Sequence, residues 1–163
     1  VKRIEPSSPG YTDARRIYQG LNNQVPRAIV QPKSADEVAQ VVASAAKNGI
    51  KMTIRSGGHN IPGQCLQQNS LTIDMRHIKH VWISPDRQSA TVGGGAKNLQ
   101  VAQALETEGL MTPLGFVGTV GFVGWSTLGG YGSFMNRWGL GVDNILGATT
   151  VNWEGKVEEG SKS

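Results

Sequence analysis

One cysteine, Cys65, stands in 163 residues, so no internal disulfide can form and no redox framework ties the chain to an oxidising compartment. Cys65 is read as a small packed apolar residue. Long apolar runs are missing: none approaches the roughly 20 residues that a membrane span requires. The N-terminus also lacks the charged-then-apolar pattern of a signal peptide. The chain as given is therefore expected to be soluble, with secreted and cytoplasmic locations both open. No Asn-x-Ser/Thr sequon occurs, a faint argument against secretion. The net charge is only +4, and Lys2, Arg3, Arg15, Arg16, Lys47, Lys51, Arg55, Arg76 and Lys79 are scattered. With no aromatic-interleaved basic stripe, nucleic-acid binding is disfavoured.

Glycine is what the chain has in excess. Its 22 glycines are about twice the usual share of roughly 7%. The length suits one globular unit of two small lobes, without room for a second full-sized domain. A start at Val1 rather than Met leads us to expect that residues upstream were removed or left out.

Residues 1–25, with Pro6, Pro9, Gly10 and Gly20, read as an extended lead-in holding a short helix around Asp13–Gln19, with no function assigned. Residues 26–70 are expected to form a first β-α-β lobe. Its strand at Arg27–Gln31 ends at Pro32. Ser34 with Glu37 then makes a capping box, and Val38, Val41, Val42, Ala45 and Ala46 share one helical face before Gly49 stops the helix. A second lobe is expected over 71–157, starting at the strand Leu71–Met75. Val81–Ser84 and Ala90–Val92 follow as strands, Asn98–Glu108 as a helix, Ser133–Trp138 as another and Ala148–Trp153 as a last strand. Residues 158–163 read as a frayed tail.

Two glycine loops carry the chemistry. Arg55-Ser56-Gly57-Gly58-His59-Asn60 follows a strand, where paired glycines let successive N–H groups converge on an anion and let a ligand approach the main chain. The alternative is a tight turn bearing a surface histidine. Gly115–Gly132 contains Thr119-Val120-Gly121, Gly124 and Gly129-Gly130-Tyr131-Gly132 ahead of a helical stretch, an arrangement that offers N–H donors to phosphate. Its alternative is close helix-sheet packing. No Gly-x-Gly-x-x-Gly with a downstream acid follows the first strand, so a nicotinamide cofactor is the weaker reading.

Five blocks then occur together in order: Pro32-Lys33-Ser34-x-x-Glu37-Val38, the Arg55–Asn60 loop, Leu71-Thr72-Ile73-Asp74-Met75, Thr91-Val92-Gly93-Gly94-Gly95-Ala96, and Gly139-Leu140-x-Val142-Asp143-Asn144. Between Val25 and Val157 the chain resembles FAD-linked oxidases of the vanillyl-alcohol-oxidase superfamily, most closely the berberine-bridge and 6-hydroxynicotine-oxidase branch. The resemblance implies an α+β, PCMH-type FAD-binding domain of two small α/β lobes, truncated at its C-terminal side. It implies FAD held covalently through His59 to the 8α-methyl carbon. Ser56, Gly57, Gly58 and Asn60 would lie along the cofactor, while Arg55 would either neutralise phosphate or end its strand. Thr119, Val120, Gly121, Gly124, Gly129, Gly130 and Gly132 would wrap the flavin through main chain, with Val142 and Asn144 nearby.

Many relatives tether the flavin a second time through a cysteine two positions before Thr-Val-Gly. Val117 stands there, and Cys65 lies elsewhere, so a single tether is expected. His77 and His80 lack a correctly spaced third ligand and read as turn residues rather than a metal pair. Trp125, Trp138 and Trp153 read as core aromatics, with a flavin-flanking role as the alternative.

The resemblance further implies hydride transfer from an alcohol or amine to FAD and reoxidation by dioxygen to hydrogen peroxide. The substrate pocket and proton acceptor belong to parts that full-length relatives carry beyond this region. The alternative is a short flavin-binding or interaction module without turnover. In either case, apolar surface left uncovered would favour self-association or a partner.

Overall fold

The computed structural model describes residues 1–20 and 22–161. Its main sheet contains β1 (Lys2–Ile4), β2 (Ala28–Gln31), β3 (Met52–Arg55) and β4 (Leu71–Asp74) in the order β1-β2-β4-β3. β2, β4 and β3 run parallel, and β1 pairs antiparallel with the outer edge of β2. The crossover from β2 is α2 (Ala35–Lys47), which follows a short α1 (Tyr11–Ala14).

Local chemistry fixes the start of α2. Ser34 Oγ accepts the Glu37 N–H at 3.2 Å, while the Glu37 carboxylate accepts the Lys33 N–H at 2.8 Å, one residue before the reciprocal partner of a standard capping box. Asp36 and Glu37 in the first turn and Lys47 in the last complement the helix dipole. Val38, Val42 and Ala45 of α2 pack on Ala28, Val30, Leu71 and Ile73. On the other face of the sheet Ile29 meets Ile4, Tyr11 and Ala14. With both faces covered, β2 and β4 are buried at every residue, which explains their unbroken run rather than polar-apolar alternation.

After β4 come a hairpin, β5 (Val81–Ile83) with β6 (Ala90–Val92), and α3 (Asn98–Glu106). Ala96, Val101 and Leu105 form the second core with Val81, Ile83, Val92, Leu110, Leu114 and Phe122. Short helices α4 (Phe122–Thr127) and α5 (Met135–Trp138) and a 3-10 turn over Val142–Asn144 lead to a last hairpin, β7 (Gly147–Val151) with β8 (Val157–Ser161). That hairpin returns to the first lobe. Val151 packs on the α2 core, and Gly155, at φ 79°, lies so close to α2 that a Cβ there would stand 2.7 Å from the Ala39 carbonyl oxygen.

Several boundaries differ from those expected. β4 lies between β2 and β3, so the first lobe extends through Asp74 instead of ending at residue 70. Residues 1–25 are no mere lead-in, because β1 joins the sheet and α1, which begins before Asp13, buries Tyr11 and Ala14. The expected tail from 158 is strand β8 as far as Ser161, paired residue by residue with β7, while residues 162 and 163 lie outside the described residues. The helix expected from Ser133 begins at Met135.

Candidate cofactor site

The first glycine loop leaves the C-terminal end of parallel strand β3, the end at which open α/β sheets bind ligands. None of the N–H groups from Ser56 to Asn60 is spent on a main-chain bond to another described residue. Gly58 sits at φ 73°, in the left-handed region that glycine enters without steric cost. Ser56 Oγ is buried without a hydrogen-bond partner. Asn60 is turned to the chain itself, its Oδ1 accepting the Gln64 N–H at 2.6 Å.

Thr119-Val120-Gly121 lies directly against this loop. A Cβ on Gly57 would overlap the Gly121 nitrogen and stand 2.8 Å from the Thr119 carbonyl oxygen, and a Cβ on Gly121 would overlap Ser56 Oγ. The start of α3 holds the second loop in place: Asn98 N–H donates to the Val120 carbonyl, Leu99 N–H to Gly118 and Phe122 N–H to Ala96, each at 2.9 Å. Thr119 Oγ1 then reaches His59 Nε2 at 2.9 Å. Burial, followed by the Lys97 ammonium, lowers the His59 pKa from its usual 6.5, which favours the neutral ring at physiological pH.

A residue from the N-terminal segment completes the constellation, although sequence reasoning gave that segment no role. The Tyr18 ring stacks on His59, with centroids 4.4 Å apart and planes 18° apart. The Tyr18 N–H donates to the Gly58 carbonyl at 3.0 Å. No local pattern announces this contact, which depends on how a distant charge folds the segment back. That charge is Arg55. Its guanidinium donates to the carbonyls of Ala14 and of Arg16, the latter at 2.6 Å, and lies 3.7 Å from buried Asp74. These contacts tie Arg55 to the N-terminal segment and to Asp74, while its buried Nε has no hydrogen-bond partner.

Several of the remaining candidates contact one another. Val142 N–H donates to Gly129 and Gly141 N–H to Gly130, while Asn144 Nδ2 donates to the carbonyls of Trp138 and Leu140, so the Asn144 amide closes a turn. A Cβ on Gly130 would lie 2.9 Å from Gly141 Cα and one on Gly132 would overlap the Leu114 carbonyl oxygen. Chain packing alone therefore requires glycine at 130 and 132. Gly124 and Gly129 face open space.

Cys65 packs with Ile17 and Leu66, and burial pushes its thiol pKa up, as for an inert structural cysteine. Val117 is half exposed. Trp125 is anchored by Nε1 to the Tyr131 carbonyl, and Trp138 packs on Phe134. Trp153, read from sequence as core, is 76% exposed on the last hairpin. His80 stacks on Trp82 at 4.0 Å, away from the glycine loops in sequence.

The FAD binding domain family matches residues 26–161. The chain belongs to this family. It is 34% identical over 154 residues to (R)-6-hydroxynicotine oxidase of Paenarthrobacter nicotinovorans, covering 94% of this chain and 34% of the relative. An FAD-linked oxidoreductase of Aspergillus niger, pynB, is 34% identical over 160 residues, covering 98% of this chain and 30% of its own length. The crystal structure of 6-hydroxy-D-nicotine oxidase from Arthrobacter nicotinovorans superposes with a TM-score of 0.95 at 33% identity, covering 98% of this chain and 35% of that one. The FAD-binding domain thus spans about a third of the length of these relatives, and its mixed α/β architecture is the one they share.

The residues present fit FAD. A strand end with unspent amides, an orphaned buried hydroxyl at Ser56, and a second glycine loop held against the first by the close approach of Gly57 and Gly121 form a cradle for a diphosphate-linked cofactor.

Proposed function

We propose that this FAD-binding domain holds its cofactor covalently through His59 and serves a flavin-dependent oxidase acting on a small alcohol or amine. The contact that carries the reading is the His59–Thr119 bond. Thr119 takes Nε2, so Nδ1 is the ring nitrogen left to attack the 8α-methyl carbon. With FAD bound, such a link would replace one imidazole N–H and one methyl C–H by the N–C bond, and dioxygen would be the oxidant that takes up both hydrogens and both electrons as hydrogen peroxide. FAD, when bound, supplies a hydride acceptor that dioxygen reoxidises. Ser56, Gly57, Gly58 and Gly121 bring the main chain close to the cofactor, and Thr119 with Tyr18 sets the plane of the imidazole. The acceptor for the substrate proton is assigned to no residue of this domain. Exposed Leu128 and Tyr131 in the second glycine loop, and Trp153 on the last hairpin, are apolar surface through which association with another copy or with further chain would proceed. No helix among the described residues is long and apolar enough to cross a membrane.

Intact mass and the visible spectrum of the denatured chain test the link. A yellow chain heavier by one FAD is expected, with the added mass absent from His59→Ala. A colourless chain at its bare sequence mass would end the covalent reading.

Attachment also has a pH signature. The attacking form is the neutral imidazole, and His59 titrates below its usual 6.5, so the rate of FAD incorporation should fall as pH drops through a midpoint under 6.5 and level off above it. Tyr18, Thr119 and Lys97 are the groups acting on this ring, and Lys97→Ala should move the midpoint upward because a nearby positive charge is lost. A rate that does not fall at any pH below 6.5 at which the chain stays folded would refute the nucleophilic role.

A further inference from the structure

Tyr18 is an unusual place for an aromatic side chain to be held. It is 71% exposed, so burial of its ring does little to fix it. Its backbone is nevertheless tied at several points around the histidine loop. Tyr18 N–H bonds to the Gly58 carbonyl, Arg55 binds the carbonyls of Ala14 and Arg16, and neighbouring Ile17 is buried against Cys65 and Leu66. Ile17 also closes over Gly58, where a Cβ would come 3.4 Å from Ile17 Cγ2. These ties put the phenol ring nearly parallel to the imidazole, with centroids 4.4 Å apart.

A lone hydrogen bond to Nε2 would leave the imidazole free to swing about the Nε2···Oγ1 line. A ring stacked on one face removes that motion and leaves the in-plane nitrogen opposite Thr119 at a defined height above the loop. We propose that Tyr18 is a positioning residue for His59: its ring and the Thr119 hydroxyl together fix the imidazole plane in which the cofactor is met. The proposal rests on covalent attachment for its functional consequence, while the clamp is a property of the chain without cofactor.

The geometry separates Tyr18 from a merely packed residue. Its hydroxyl is not needed for the stack, so Tyr18→Phe should retain the function and Tyr18→Ala should lose it. Aromatic pairs of this kind correspond to roughly a three- to tenfold change in a rate that depends on ring placement. Because the cradle for the diphosphate lies in the glycine loops, non-covalent affinity for FAD should be little changed.

The experiment follows the FAD-shifted mass of apo chain mixed with FAD against time, for wild type, Tyr18→Phe, Tyr18→Ala and His59→Ala. A second arm records by NMR the His59 ring protons of the three apo chains that keep His59, with His59→Ala identifying their signals by loss. Expected results are attachment about three- to tenfold slower in Tyr18→Ala alone among the Tyr18 variants, and upfield-shifted imidazole protons in wild type and Tyr18→Phe that return to ordinary positions in Tyr18→Ala. A wild-type rate in Tyr18→Ala, or a Tyr18→Phe rate as slow as Tyr18→Ala, would overturn the positioning role. If wild type gains no covalent FAD, the covalent reading fails on its own, and the ring protons then decide the clamp: shifted in the two aromatic chains they uphold it, unshifted in all three they remove it.

Discussion

Asp74→Ala is expected to destabilise the fold by about 3–5 kcal/mol in urea unfolding, the range for stripping one partner from a buried ion cluster. Asp74 has no solvent exposure, yet its carboxylate takes Arg76 Nε and Nη2 at 2.7 Å each and the Gln31 amide at 3.4 Å, with Arg55 Nη1 at 3.7 Å. The Arg55 side chain is only 12% exposed, and burial lowers its pKa while Asp74 is the largest influence opposing that. Without the carboxylate, a guanidinium is left in the protein with its charge uncompensated. Asp74→Asn keeps the shape and part of the hydrogen bonding and should cost less. Because Arg55 also holds the Ala14 and Arg16 carbonyls, loss of Asp74 should loosen the segment that carries Tyr18 and slow FAD attachment as well. A stability loss below about 1 kcal/mol would show that water replaces the carboxylate at little cost.

Gly57→Ala is the second large effect, at about 3 kcal/mol, the upper end for forced overpacking. The obstruction is main chain on every side: the Gly121 nitrogen, the Thr119 carbonyl oxygen and the Val120 carbonyl carbon, the last two at 2.8 and 2.9 Å from the added Cβ. No side chain can rotate away, so the two loops must part, and the His59–Thr119 bond goes with them. Gly124→Ala is the control. It lies inside α4 with nothing within 4 Å of an added Cβ, so apo stability should hold or rise by up to about 1 kcal/mol, alanine being the better helix former. Equal unfolding curves for the two variants would mean that the loops are not interlocked.

The sequence showed most clearly those features whose cause lies within a few residues. α2 follows from Ser34, Glu37 and an apolar face at helical spacing, and β2, β3 and β4 from short β-branched runs. The Gly57-Gly58-His59 loop stood out because strand, glycines and histidine are contiguous. What stayed hidden depends on pairing at a distance. β4 read as the opening of a second lobe because nothing in Leu71–Asp74 says that it will insert between β2 and β3. β8, with the sequence Val-Glu-Glu-Gly-Ser, shows no alternation because all its side chains are exposed and its strand character comes from main-chain pairing with β7. The partners of Arg55, the Asp74 carboxylate and two carbonyls of the N-terminal segment, all come from distant positions. Tyr18 was invisible as part of the site for the same reason: the residue that places it lies 37 positions onward in the chain.

The last hairpin has a kinetic consequence. β7 and β8 dock on α2, more than a hundred residues earlier, so their contacts close a very long loop and cannot form until α2 and its sheet exist. The hairpin is therefore expected to dock last. With β8 exposed at every position and half-buried Val151 as the hairpin's main apolar anchor, it should also be the easiest to detach, so its amides should exchange with solvent well before those of β2 and β4. A gradient of stability is expected along the chain, lowest at the hairpin and highest in β2 and β4, the strands that support the sheet edge from which the histidine loop leaves.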